Sequence, residues 1–309
     1  MSRRREFLFQ AMLATAAATT CLPAALAQVS LPETARKSRR KLQTRLVPAS
    51  GERIPVIGMG TSGSFEVGAS EAARVRLREV LRRFIVGGGA VIDTAPTYSS
   101  AEDVLGELLE AGGWRPRVFL ATKLSGISGR EAGHAQFAES LRRLRTDKLE
   151  LLQVHNLRDT ATQLEVARSL QAEGKVRHVG ITHYIDSAHD ELARLMAQHR
   201  PDFIQINYSV VSRGIEQRVL PLARELGIAV VVNRAFEDGH LFTRVADRPL
   251  PGWATEVGAS SWAQLFLKFV LSEPAVTVVI PATSKPRNIS DLSLIHISEP
   301  TRLRRISYA

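Results

Sequence analysis

Four side chains in the first half of the chain have the types and spacing for proton chemistry on an oxygen: Asp93, Tyr98, Lys123 and His155. Asp93 falls near the end of the apolar run "AVIDTA" (90–95), and an unpaired carboxylate buried there would cost several kcal/mol. Lys123 ends "VFLATK" (118–123) and is the cation that answers it; His155 ends "LELLQVH" (149–155), and Tyr98 sits in the loop after Asp93. A tyrosine near its ordinary pKa of about 10 is a poor acid at neutral pH. An ammonium beside it favours the phenolate and is expected to lower that value, with Asp93 holding Lys123 charged. Tyr98 then has the means to give a proton to an oxygen gaining negative charge, with His155 aiming that oxygen by a hydrogen bond. A carbonyl receiving hydride develops such a charge.

Residues so far apart in sequence need strands that end side by side. From residue 51 the chain alternates short apolar runs with amphipathic stretches. The runs are 54–60, 90–95, 118–123, 149–155, 176–182, 203–208, 228–233 and 276–282. The amphipathic stretches are 71–86, 101–111, 135–145, 160–173, 187–199, 214–226 and 259–272. Glycines at 87–89, 112–113, 174 and 227 follow several of them, where helices end readily. Strands each trailed by a helix predict an α/β fold, a parallel (β/α)₈ TIM barrel of about 250 residues. An open doubly wound sheet would want a glycine fingerprint after its first strand, which "GMGTSG" (58–63) does not supply. A barrel carries its site at the carboxyl ends of its strands, and Asp93, Lys123 and His155 stand there. Period-two alternation puts Phe119, Ala121 and Lys123 on one face of their strand, and Leu151, Gln153 and His155 likewise on one face of theirs.

At these residues the sequence resembles the aldo-keto reductase family. "IPVIGMGT", "DTAPTYSSAEDVLG", "ATK", "LLQVH", "VGIT" and "IPATSKP" look like that family's strand-end motifs in their order, from about Ile54 to Ile289. The resemblance implies an NAD(P)-dependent oxidoreductase that reduces aldehydes or ketones to alcohols. It makes Tyr98 the proton donor, Lys123 its tuner, Asp93 the partner of Lys123 and His155 the carbonyl orienter. It also implies NADP (NAD being the other option) bound across the barrel mouth. Thr61 and Gln205 match positions beside the nicotinamide, and Thr182-His183 replaces the family's Ser-Asn. Asn233 replaces the aromatic that stacks on the ring, leaving Arg234 or Phe236 to cover it. Thr283, Ser284 and Lys285 fit an adenosine-phosphate loop, with Asn288 where an arginine often grips the 2′-phosphate. Two other readings stay open beside the reductase: a non-catalytic nicotinamide-binding redox sensor, and a Schiff-base aldolase using Lys123.

The remaining segments are read separately. Residues 1–27 have the layout of a cleaved signal peptide, and Arg4-Arg5-Glu6-Phe7-Leu8 resembles a twin-arginine export motif. This predicts a periplasmic protein handled by the twin-arginine machinery and not stably inserted in a membrane after cleavage. Cys21, the one cysteine, leaves with that peptide. Residues 28–50 read as a basic linker, and 51–291 as the barrel, truncated and lacking its last helix and carboxyl tail. Residues 292–309, beginning "LSLIHISEPTR", resemble a translated sequencing adapter rather than native sequence. The net charge of +10 comes without a nucleic-acid-binding motif and is spread over helix faces such as "RLREVLRRF", so nucleic acid is not expected as a partner; a small-molecule carbonyl is. His134, His178, His189, His199 and His240 show no ligand spacing, and no metal site is expected.

Overall fold

The computed structural model describes residues 43–293. The signal peptide, the linker up to 42 and the adapter-like tail from 294 onward lie outside the described residues.

The chain enters through an antiparallel hairpin, β1 (Thr44–Leu46) and β2 (Arg53–Pro55), with Arg45 opposite Ile54. The linker expected through residue 50 therefore gives way to structure by residue 44. Its residues are held by burial: Val47 and Ile54 join the apolar cluster inside the barrel, so the hairpin plugs the amino-terminal end. Arg45 reaches back to the last unit, where its guanidinium donates to the carbonyls of Glu273 (2.8 Å), Leu271 and Val276.

Eight parallel strands follow: β3 (Met59–Gly60), β4 (Val91–Asp93), β5 (Phe119–Leu124), β6 (Leu149–His155), β7 (Val176–Thr182), β8 (Phe203–Asn207), β9 (Ala229–Asn233) and β10 (Val276–Val279), hydrogen-bonded in sequence order. The ring closes where Ile57 meets Val279 and Gly60 meets Ala282. The first apolar run, 54–60, is thus two strands rather than one: Ile54 belongs to the plug, and Met59 to the barrel. Gly58 sits at the seam, where a Cβ would come within 2.9 Å of Ile280 and 3.0 Å of the Val91 carbonyl. Any side chain there would push the seam apart.

Helices α1 (Glu71–Val86), α2 (Ala101–Ala111), α3 (Arg130–Leu144), α4 (Thr160–Ala172), α5 (His189–His199), α6 (Val219–Leu226), α7 (His240–Arg244), α8 (Trp262–Leu271) and α9 (Pro286–Ser293) surround the strands. Helix α3 starts before the expected residue 135, at Arg130, preceded by Gly129, whose φ of +86° suits glycine. Helices α5 and α6 start later than expected because 3₁₀ turns at Asp186–Ala188 and Gly214–Glu216 precede them. The last helix, expected to be missing, is present over the eight residues of α9. Its Ile289 and Leu292 are buried in the shared core, so Leu292 packs into the fold although the adapter-like tail was expected to begin there.

The strand alternation sorts the core into two layers. Phe119, Ala121, Leu151, Phe203 and Val231 fill the interior, while Leu120, Leu124, Leu152, Val154 and Ile204 pack outward under the helices. Gly106 lets α2 and α3 touch, since a Cβ there would lie 2.1 Å from the Arg143 carbonyl.

Candidate active site

The four expected side chains converge at the carboxyl end of the barrel. The pairing of β4 with β5 sets Asp93 beside Ala121, and that of β5 with β6 sets Lys123 beside Gln153. Asp93 and Lys123 therefore project inward as neighbours, with Lys123 Nζ donating to Asp93 Oδ2 at 2.6 Å and to the Thr94 carbonyl at 2.7 Å. Gln153 Nε2 donates to the other carboxylate oxygen at 3.0 Å. Both members of the ion pair are buried. The buried charge that Asp93 posed as a problem is neutralised and hydrogen-bonded on every side.

Tyr98 stands above this pair. The Lys123 ammonium lies 5.1 Å from the centre of the Tyr98 ring, and the His155 ring meets Tyr98 edge-on at 6.0 Å between centroids. Burial opposes the charge on Lys123, but Asp93 and then Tyr98 outweigh it and hold the amine above its ordinary pKa. Tyr98 departs from expectation. Burial is the largest influence on it and raises its pKa, and the lowering by Lys123 is too small to reverse that. In the resting site it is a protonated phenol. His155 is pushed down to about 3, by burial first and then by the Lys123 and His183 charges, so it is neutral at physiological pH. Its Nδ1 lies 2.7 Å from the hydroxyl of Ser125.

Asp93, Tyr98 and His155 line a cavity of about 830 Å³ whose wall also includes Thr61, Thr182, Gln205, Asn233, Arg234 and Phe236. The Thr61 hydroxyl donates to the Asp93 carbonyl at 3.0 Å, tying the loop after β3 to the end of β4. The Thr182 hydroxyl donates to Gln205 Oε1 at 2.9 Å, which turns the Gln205 amide nitrogen away from Thr182 and leaves it without a partner. Asn233 Nδ2 donates to the His183 carbonyl at 3.0 Å, and Asn233 Oδ1 is likewise buried and unpartnered. His183 stacks on Tyr184, while its Nδ1 accepts from the Tyr184 amide at 2.9 Å. Arg234, at a φ of +52°, lies over the Tyr184 ring and pairs with Asp238 at 2.5 Å. Strain in a short loop is a frequent mark of a functional site.

Thr283, Ser284 and Lys285 lie just beyond Ala282, the last cavity residue of that stretch. Thr283 Oγ1 accepts from the Lys285 amide (3.1 Å) and from Asn288 Nδ2 (3.0 Å), fixing the turn into α9. From sequence, Gln153 is placed on the His155 face without a role, and Ser125 and Tyr184 are not singled out. Ser125 was within reach, since period two carries Lys123 on to it. Tyr184 follows β7 in a loop, where no periodicity points.

Residues 56–294 match the Aldo/keto reductase family. Methylglyoxal reductase YeaE of Escherichia coli (strain K12) is 30% identical over 251 residues, which span 79% of this chain and 86% of that protein. Aldo-keto reductase YhdN of Bacillus subtilis (strain 168) is 31% identical over 196 residues, 57% of this chain and 56% of that one. Among solved structures, an aldo/keto reductase from Klebsiella pneumoniae in complex with NADP and acetate superposes with a TM-score of 0.68 at 26% identity. That likeness covers 84% of this chain and 91% of the other. A Klebsiella pneumoniae aldo-keto reductase in complex with NADPH gives 0.69 at the same identity and coverage.

Proposed function

The chain belongs to the aldo/keto reductase family, and from that premise we propose that it reduces aldehydes or ketones to alcohols with NADPH, Tyr98 being the general acid. One observation carries the reading: the buried Lys123–Asp93 ion pair, 2.6 Å apart, lies against Tyr98, with the Lys123 ammonium 5.1 Å from the centre of its ring, and Asp93 and Tyr98 both line the cavity.

The cavity suits a nicotinamide. A carboxamide offers one acceptor and one donor, and the cavity wall offers an unpartnered donor, Gln205 Nε2, and an unpartnered acceptor, Asn233 Oδ1. Buried polar groups without partners are rare in native proteins, and a carboxamide would satisfy both. The NADP and NADPH complexes of the Klebsiella pneumoniae reductases support the same assignment. Thr61 and Thr182 would flank that end, Arg234 and Phe236 would cover it, and Thr283, Ser284 and Lys285 would meet the phosphates. When bound, the reduced cofactor supplies hydride to the carbonyl carbon.

The chain's own residues supply the rest. His155, neutral, orients the carbonyl oxygen by a hydrogen bond. Tyr98 passes its phenolic proton to that oxygen as it becomes an alkoxide, which is a stronger base than phenolate, so a raised Tyr98 pKa does not oppose the transfer. Lys123 stabilises the phenolate left behind, and Asp93 with Gln153 keeps the ammonium in place. The same burial speaks against a Schiff-base aldolase, because the Lys123 side chain is fully buried and held charged, whereas that chemistry needs a free amine.

Tyr98→Phe keeps the ring and removes the proton. Carbonyl reduction should fall by about 10² or more with NADPH binding intact; full activity in this variant would sink the mechanism. Tight NADPH binding by the parent with no turnover across a broad aldehyde panel would favour the redox sensor instead. Arg4-Arg5 supports one further proposal, that the protein is exported folded by the twin-arginine route to the periplasm. Replacing both by Lys should leave unprocessed protein in the cytoplasm, and normal processing after Ala27 would refute it.

A further inference from the structure

We infer that Ser125 is a positioning residue for His155: its hydroxyl donates to Nδ1 and thereby holds the imidazole in the tautomer that carries its proton on Nε2. Ser125 follows β5 directly, two residues after Lys123, so the strand alternation keeps its side chain on the cavity side of the barrel. It is buried, and its Oγ lies 2.7 Å from Nδ1 of His155. Which of the two groups donates follows from where the hydroxyl hydrogen has to go. A buried hydroxyl hydrogen needs an acceptor. The Ser125 carbonyl already accepts from Gln136 Nε2 at 3.0 Å, and the partner found for Ser125 Oγ is Nδ1. Were the ring proton on Nδ1, it would occupy the contact and leave the hydroxyl hydrogen facing no acceptor there. With Nδ1 accepting, both groups are satisfied, and the single proton of a neutral ring sits on Nε2.

The serine is itself held still. Gln136, from α3, pairs with the Ser125 backbone on both sides, its Oε1 accepting from the amide at 2.6 Å and its Nε2 donating to the carbonyl. A side-chain amide thus stands in for a neighbouring strand just past the end of β5. The chain of support runs from α3 through Gln136 and Ser125 to His155. Burial and the adjacent Lys123 keep the ring neutral, so protonation of both nitrogens is not an alternative source of an Nε2–H donor. The catalytic consequence rests on the carbonyl-reduction reading: only a ring protonated on Nε2 can donate from that nitrogen to a carbonyl oxygen.

The test reads the tautomer directly. Full-chain protein labelled with ¹⁵N-histidine gives long-range ¹H–¹⁵N spectra in which pyridine-type and pyrrole-type nitrogens separate, and the His155 signal is identified by its absence from His155→Asn. The wild-type ring should show a pyridine-type Nδ1 and a protonated Nε2 in a single tautomer. Ser125→Ala should populate both tautomers and lower kcat/KM on an aldehyde by about 5- to 10-fold, the scale of one hydrogen bond, with NADPH affinity unchanged. Ser125→Thr retains the hydroxyl and should restore the single tautomer and the rate. A proton on Nδ1 in the wild type, or a Ser125→Ala spectrum identical to it, overturns the inference. The wild-type spectrum decides alone if the alanine variant does not fold. An Nε2–H that is lost in Ser125→Ala, in a protein that turns over no carbonyl, would leave the positioning role standing and remove the reductase reading.

Discussion

Two histidines on neighbouring strands, near opposite ends of the barrel, are driven in opposite directions. His155, at the carboxyl end of β6, is pushed down to about 3 by burial and the Lys123 charge. His178, near the amino end of β7, is buried too, but the carboxylates of Asp202 and Glu52 outweigh that burial and raise it. The surroundings differ in completeness as well as sign. Below, Glu52 takes His178 Nε2 at 2.8 Å and Arg177 at 2.8 Å, Glu150 takes Arg115 at 2.9 Å and the Leu120 amide at 2.8 Å, and Asp202 takes the Val179 amide at 2.9 Å. Above, Gln205 Nε2, Asn233 Oδ1 and Gln153 Oε1 are buried without partners. The lower end closes its polar groups on one another and serves the fold. The upper end leaves Gln205 and Asn233 with open polar atoms in the cavity wall, where a polar ligand would find partners.

Breaking one charge pair at each end gives the largest contrast. Lys123→Met strands Asp93 in the core and should cost about 3–5 kcal/mol in urea unfolding, with loss of carbonyl reduction. Arg177→Met removes a cation that is half exposed and should cost about 1 kcal/mol or less. Equal losses would mean that the upper pair is no more deeply committed than a surface one.

Glu52→Gln weakens the lower network alone. It should cost about 1.5–3 kcal/mol, the range for a hydrogen bond to a charged group, without changing turnover at saturating substrate. Its pH dependence has a definite sign. Because the folded His178 pKa lies above its ordinary value, the stabilisation from its charge is fully present below about pH 6.5. It is lost as pH rises through the raised value. The gap between wild type and variant should therefore narrow with increasing pH, and a widening gap would contradict the assignment.

Gln205→Leu removes an open donor above and should weaken NADPH binding by about 5- to 10-fold, read from cofactor fluorescence, with unfolding stability held within about 1 kcal/mol. The smallest expected effect is a null one. With His155 already neutral, kcat/KM should show no inflection from it between about pH 5 and 8. A histidine-like inflection there that disappears in His155→Asn would show that the ring titrates as an ordinary exposed one.

Much of this was legible in the sequence because strands and charges leave strong local marks. Asp93, Lys123 and His155 each stand at or near the end of an apolar run, so a parallel barrel had to bring them to one rim. The protonation state of Tyr98 was not legible. The sign depends on how deeply the ring is packed relative to its distance from Lys123, and spacing reveals neither. The first strand of the hairpin, Thr44–Leu46, was hidden by basic composition: Arg45 reads as linker until its partners, carbonyls more than 200 positions away, are known. The loop after β9 also resisted, since three non-glycine residues at positive φ, Arg234, Glu237 and Asp238, obey tertiary contacts rather than local preference.

The contact from Arg45 to the carbonyls at the end of α8 also bears on timing. Residues 45 and 273 are separated by 228 positions, and the seam between Ile57 and Val279 spans nearly as many. A ribosome delivers the first partner many seconds before the second, at the usual 5–20 residues per second. During that interval the amino-terminal hairpin has no barrel to plug and the first strand has no second neighbour. Closure waits for nearly the whole described chain, so a secretion route that threads nascent, unfolded polypeptide and one that waits for a finished barrel would handle different molecules.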